Sequence, residues 1–158
     1  MMFNKLYFLL FAIIFVGCHS DKIDLKLILG NWKIERDVYT KGALTINANR
    51  TFKFSEIGHL SESYSSGTWE IKKDTLVLSS TMPKECLYVN KFAPSCPNKN
   101  IVIEEKIETT IENCEPKNYT KFYSKFLTEK FILKKNALIY IVTNKNCDKK
   151  HTDYRIFR

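Results

Sequence analysis

The sequence predicts an all-β protein built as a sandwich or a closed antiparallel barrel. Three observations carry that expectation: apolar residues recur at every second position, the segments so marked are short, and brief polar connections separate them. The clearest segment is "IVIEEKIETTIE" (101–112). It places Ile101, Ile103, Ile107 and Ile111 on one face and Glu104, Lys106, Glu108 and Glu112 on the other, as a half-buried strand requires. Glu105 interrupts the apolar face, which reads as a bulge or bend. Many short strands of this kind make a sandwich or a closed barrel, and closure removes the exposed edges that a meander otherwise leaves.

In chain order, the first element lies outside the barrel. The run "LYFLLFAIIFV" (6–16) follows a start carrying one charge, Lys5. As a helix it rises about 16 Å, roughly half of a bilayer's hydrocarbon core, so it reads as a secretory signal peptide and not as a span. A short helix is expected over Asp21 to Leu29. Strands are expected over 31–39, 43–47, 51–56, 67–72, 75–80, 101–112, 119–126, 130–134, 137–143 and 153–158. The strings "NANR", "KKD", "LTE", "KKN" and "NKNCDKKH" supply turns between them. Residues 57–66 and 81–100 are the long connections, the second holding Pro83, Pro94 and Pro97. Phe52, Phe54, Leu76, Leu78, Phe131 and Leu133 fall on the inward face.

Charge and cysteines bound the setting. The chain has 25 Lys or Arg against 17 Asp or Glu; without Lys5, 24 basic residues remain, for a net charge of +7. The excess gathers between Lys117 and Arg158, where Glu129, Asp148 and Asp153 are the only acids. Such a surface suits anionic lipid, polyanionic glycan or an acidic protein, though lysines on solvated strand faces account for it more simply. After Cys18, the cysteines are Cys86, Cys96, Cys114 and Cys147, an even number suited to disulfides in an exported chain. No Cys-x-x-Cys pair favours zinc. Three connectivities exist; chain proximity pairs Cys86 with Cys96 and leaves Cys114 with Cys147.

"FVGC" (15–18) resembles the bacterial lipobox, in which a small residue precedes a cysteine that is acylated and becomes the mature N-terminus. The resemblance implies a signal peptide at 1–17, a lipid-anchored tether at 18–26 and a barrel domain at 27–158. More than one acyl chain anchors stably, at about 0.8 kcal/mol per buried CH₂. His19 and Ser20 after the cysteine, with no aspartate, imply an outer membrane in the sorting logic of that family.

"LILGNWKI" (27–34) sets Gly30 and Trp32 at the start of the first strand. With "TFKFSE", "GTWEIKKDTLVL" (67–78, holding Gly67 and Trp69), "KFLTEKFILKKN" and the closing "DYRIFR", it resembles lipocalins and the lipocalin-like lipoproteins of Gram-negative bacteria. That resemblance implies an up-and-down barrel of about eight to ten strands. Trp32 would close one end, covered by Arg155 or Arg158. Residues 81–118 have no counterpart in the family pattern.

Two functions are expected from these readings. In the first, the barrel encloses a small apolar or amphipathic ligand. In the second, side chains fill the barrel, and the basic C-terminal half or the cysteine-bearing loop meets a partner in the envelope. Nucleic acid is excluded by the exported setting. His19, His59 and His151 come without metal-ligand spacing, nucleophile elbow or phosphate loop, so neither an enzyme nor a cofactor or metal site is expected.

Overall fold

The computed structural model describes residues 24–35, 39–92, 109–141 and 155–158. The predicted signal peptide, Cys18, Cys96, Cys147, His19, His151 and strand residues 101–108 lie outside the described residues. The chain forms β1 (Gly30–Glu35), β2 (Lys41–Ile46), β3 (Thr51–Ile57), β4 (Glu62–Lys72), β5 (Thr75–Ser80), β6 (Tyr88–Lys91), β7 (Thr109–Thr110), β8 (Lys121–Lys125), β9 (Leu127–Lys134), β10 (Ala137–Tyr140) and β11 (Arg155–Phe157).

Burial alternates along the strands as the sequence pattern requires. β3 buries Phe52, Phe54 and Glu56 and exposes Lys53 and Ser55; β1 buries Trp32 and Ile34 between exposed neighbours. Every neighbouring pair in the ring β1-β2-β3-β4-β5-β9-β10-β11 is antiparallel, and β1 pairs β11 to close it. The result is an eight-stranded up-and-down barrel that carries, between β5 and β9, an excursion described over 81–92 and 109–126. Within that excursion β8 runs parallel beside the first residues of β4, β6 runs parallel beside β8, and β7 is antiparallel to β6.

Four expectations change. Residues 62–66, expected in a connection because they are polar, form the start of β4; Ser63 and Ser65 point inward there, so polarity hid a strand. β6 lies inside the expected connection 81–100. Ile111 sits in a 3₁₀ turn, Ile111–Asn113, and not on a strand face. The N-terminal helix is one 3₁₀ turn, Leu25–Leu27, whose first turn is capped by the Asp24 carboxylate accepting from Lys26 N at 2.9 Å. The strands expected at 119–126 and 130–134 are β8 and β9, parted by Phe126 alone.

The two ends of the barrel differ. At one end the connections 47–50, 73–74 and 135–136 are tight, and two tryptophans close the barrel. Trp32 Nε1 donates to Ile28 O at 2.8 Å, with the Arg158 guanidinium 4.8 Å from its ring centroid. Trp69 Nε1 donates to Asn47 O at 2.8 Å, with Arg50 at 4.4 Å. Each indole is buried, hydrogen-bonded and covered by a cation, which satisfies its one donor and shields its face. The connection 58–61 and the points where the excursion leaves β5 and enters β9 lie at the opposite, open end.

Candidate functional site

At the open end, the barrel's mouth is filled by side chains from the excursion. Phe92, just past β6, stacks on Phe126 at 4.2 Å between centroids; Phe92 also meets Phe54 at 5.5 Å, Phe131 at 5.8 Å and Tyr140 at 6.0 Å. Phe126 in turn contacts Phe52 and Phe54 at 5.1 and 5.3 Å. The rings meet edge-to-face or tilted for the most part, as aromatic quadrupoles favour. Leu44, Leu76, Leu78, Leu138 and Ile156 complete the same buried cluster beneath them.

Phe126 is pinned by Ser80, whose hydroxyl accepts from Phe126 N at 3.0 Å and whose backbone N donates to Phe126 O at 3.0 Å. The Tyr123 hydroxyl joins this knot at 2.5 Å from Ser80 Oγ. Gly67 permits it: a Cβ there would stand 2.1 Å from Ser79 O, so β5 can approach β4 this closely only past a glycine. Gly67 was expected as a signature residue; the structure assigns it this close approach.

Beyond the mouth, the excursion carries its own small core of Leu87, Ile111 and Tyr123. Cys86 bonds Cys114, with Cα atoms 5.9 Å apart. This corrects the expected pairing of Cys86 with Cys96 and of Cys114 with Cys147. The β6–β7 register, with Tyr88 opposite Thr110 and Ile111 N bonded to Leu87 O, carries Cys86 toward Cys114, so strand pairing overrides chain proximity. Closing a loop of this length stabilises by about 3 to 4 kcal/mol on a chain-entropy view.

Beside the disulfide opens a cleft of about 440 Å³ lined by Tyr88, Thr110, Cys114, Glu115, Pro116, Lys117 and Tyr119. Tyr88 lies between Tyr119 and Phe122, at 6.0 and 5.7 Å with interplanar angles of 33° and 37°, so three rings form one shallow shelf. Tyr119 is 76% exposed, a large aromatic surface left in water. On the flank of the excursion, Tyr64 Oη donates to Glu85 Oε2 at 2.7 Å. Burial, that hydrogen bond and the carboxylates of Glu85 and Glu62 push the Tyr64 phenol up to about 12.

None of the other described sequence-derived positions lines this cleft. Gly30, Trp32, Trp69 and Arg158 build the closed end, and Arg158 is the residue over Trp32. Gly30 adopts φ +117°, which a side chain would strain. Arg155 stands opposite Glu35 in the β1–β11 ladder. His59 is exposed and meets Tyr39 edge-on at 6.0 Å. Among the described residues no three His, Cys, Asp or Glu side chains gather as metal ligands, and no helix is long and apolar enough to cross a membrane. Reading the sequence did not single out Tyr88, Tyr119, Ser80, Phe92 or Phe126 as site residues. The aromatics among them stand at irregular spacing in polar surroundings, with no periodicity to expose them, and Ser80 is one polar residue at a strand end.

The class is therefore that of a closed eight-stranded β-barrel with an elaborated open end. No protein-family model matches the chain, and comparison with curated proteins and with solved structures likewise finds no match.

Proposed function

We propose that the chain is a lipid-anchored envelope protein of lipocalin-like build, without catalytic activity, that meets its partner on the open-end excursion and not inside the barrel. The observation that carries this reading is the aromatic plug. Phe92 and Phe126 occupy the position where a ligand would enter, and both are pinned within the core that also holds Phe52, Phe54 and Phe131. A barrel packed in this way is a scaffold. The ring shelf, in which exposed Tyr119 extends half-buried Tyr88 and Phe122 beside a cleft braced by a disulfide, supports a contact surface there: aromatic anchors on a rigid support dominate the energetics of interfaces. An enclosed small apolar ligand, the other expectation, would require the plug to move.

The test is site-specific photo-crosslinking in the cells that make the protein. A photoreactive residue at Tyr119 should capture one discrete envelope species, whereas the same residue at Lys33, on the exposed face of β1, should not. Equal capture from both positions, or none from Tyr119, would remove the reading.

A further inference from the structure

At the closed end, the 3₁₀ turn buries none of its three residues, and Leu25 and Leu27 are 41% and 50% exposed. Cations stand at the same end of the barrel. Lys26 lies on the same turn, Lys72 and Lys73 on the β4–β5 turn, and Lys134 and Lys135 on the β9–β10 turn, all exposed. Hydrogen bonds join these parts into one face. Arg158 donates through Nη2 to Leu27 O at 3.1 Å and Leu29 O at 2.5 Å, while its backbone N reaches Asn136 O at 3.4 Å. The β5–β9 ladder, with Leu76 opposite Phe131, sets the two lysine turns side by side.

The acids of this face are largely engaged. Asp24 caps its turn and Glu70 pairs with Lys72 at 2.7 Å, leaving Asp74 against the remaining lysines. Lys73 and Lys135 hold φ at 56° and 52°, the left-handed region where glycine or asparagine is the easier choice, so both turn tips keep a cation despite its conformational cost.

We propose that this closed end docks on the anionic headgroups of the membrane that carries the chain, with Leu25 and Leu27 entering the interface and the turn lysines contacting lipid phosphates. The proposal rests on the reading of Cys18 as the lipid anchor. From Cys18 to Asp24 an extended chain reaches at most about 20 Å, so the tether delivers this end, and not the plugged end, to the bilayer. Exposed leucines among lysines match that surface in both its apolar and its charged layers. The open-end shelf then faces away from the membrane, toward partners in solution or on an opposing surface.

The experiment uses the full protein purified from its own membrane and reconstituted on vesicles of phosphatidylcholine, with or without phosphatidylglycerol. Amide exchange is followed at 24–28, 72–75 and 134–137 and, as the opposite pole, at 58–61. On phosphatidylglycerol vesicles the three closed-end segments should exchange more slowly and 58–61 should not change. The double variant Lys73→Glu/Lys135→Glu should lose the protection, with the equilibrium between docked and undocked states falling roughly thirtyfold. Acylated protein whose closed end exchanges alike on both vesicles, or whose open end is protected instead, overturns the docking face and leaves the anchor standing. Protein without an acyl group at Cys18 that still shows the lipid-dependent protection keeps the face and removes the anchor. Protein with neither removes both.

Discussion

Single residues decide whether the barrel closes. Trp32 is buried, hydrogen-bonded to Ile28 O and covered by Arg158, so Trp32→Ala removes packing, a hydrogen bond and a cation–ring contact together. The expected loss is about 3 to 5 kcal/mol, read by denaturant unfolding, against a total that for such a domain is about 5 to 15 kcal/mol. Arg158→Ala should cost less, about 1 to 2 kcal/mol, because the arginine is exposed and its hydrogen bonds compete with water. A Trp32→Ala variant as stable as the parent would show that the indole does not close this end. Tyr64 gives a different residue-scale signature. Its pKa is raised from 10.0 to about 12, so the folded state holds that proton more tightly than the unfolded chain does. This contribution is fully present below about pH 10 and is lost as pH climbs through 12. Tyr64→Phe should flatten that part of the alkaline stability curve and remove from a spectrophotometric titration a phenol that ionises near 12. A parent whose tyrosines all ionise together near the ordinary value would exclude the Tyr64–Glu85 bond.

Elements were legible where apolar residues alternate or run between turns, and hidden where the buried residues are polar or the partners distant. β3 could be read from the sequence because Phe52 and Phe54 alternate with polar neighbours, and β5 because Leu76, Val77 and Leu78 form a short apolar run bounded by polar residues. The start of β4 was not, since Ser63 and Ser65 are inward-facing yet polar. The excursion resisted for another reason: β6 and β8 pair in parallel across a sequence gap, and local pattern carries no information about such distant partners. The disulfide was misread for the same cause, as Cys86 reaches Cys114 through strand pairing and not through chain proximity. The candidate shelf shares that origin, because Tyr88 and Tyr119 come together only when the excursion folds. This element has its own prediction. Non-reducing peptide mapping should link Cys86 to Cys114, and Cys86→Ser/Cys114→Ser should cost about 3 to 4 kcal/mol. Because the disulfide braces the excursion and not the ring, the loss should appear first as faster amide exchange in 86–92 and 109–114, with the β1–β3 amides slower to respond. A link from Cys86 to any other cysteine would overturn the excursion as described.

At the scale of the whole molecule, the question is whether the barrel is a container or a scaffold, and the plug makes that testable. Phe92 reaches the core from outside the ring, stacked on Phe126 and touching Phe54, Phe131 and Tyr140. Removing it by Phe92→Ala leaves the eight ring strands and their hydrogen bonds in place and opens the mouth. The cost is about 3 to 5 kcal/mol, part of it the price of an unfilled cavity. An apolar cavity of that origin stays dry and accepts small apolar molecules. The variant should therefore regain stability with an apolar probe such as benzene or a short fatty acid, by about 2.7 kcal/mol at a probe concentration a hundredfold above its Kd. The parent, already filled, should show no such gain over the same range. If instead the parent's melting temperature rises with the probe as steeply as the variant's, Phe92 and Phe126 move aside on their own. The barrel would then be a container with a hinged lid, and the open-end shelf would lose its standing as the principal contact surface.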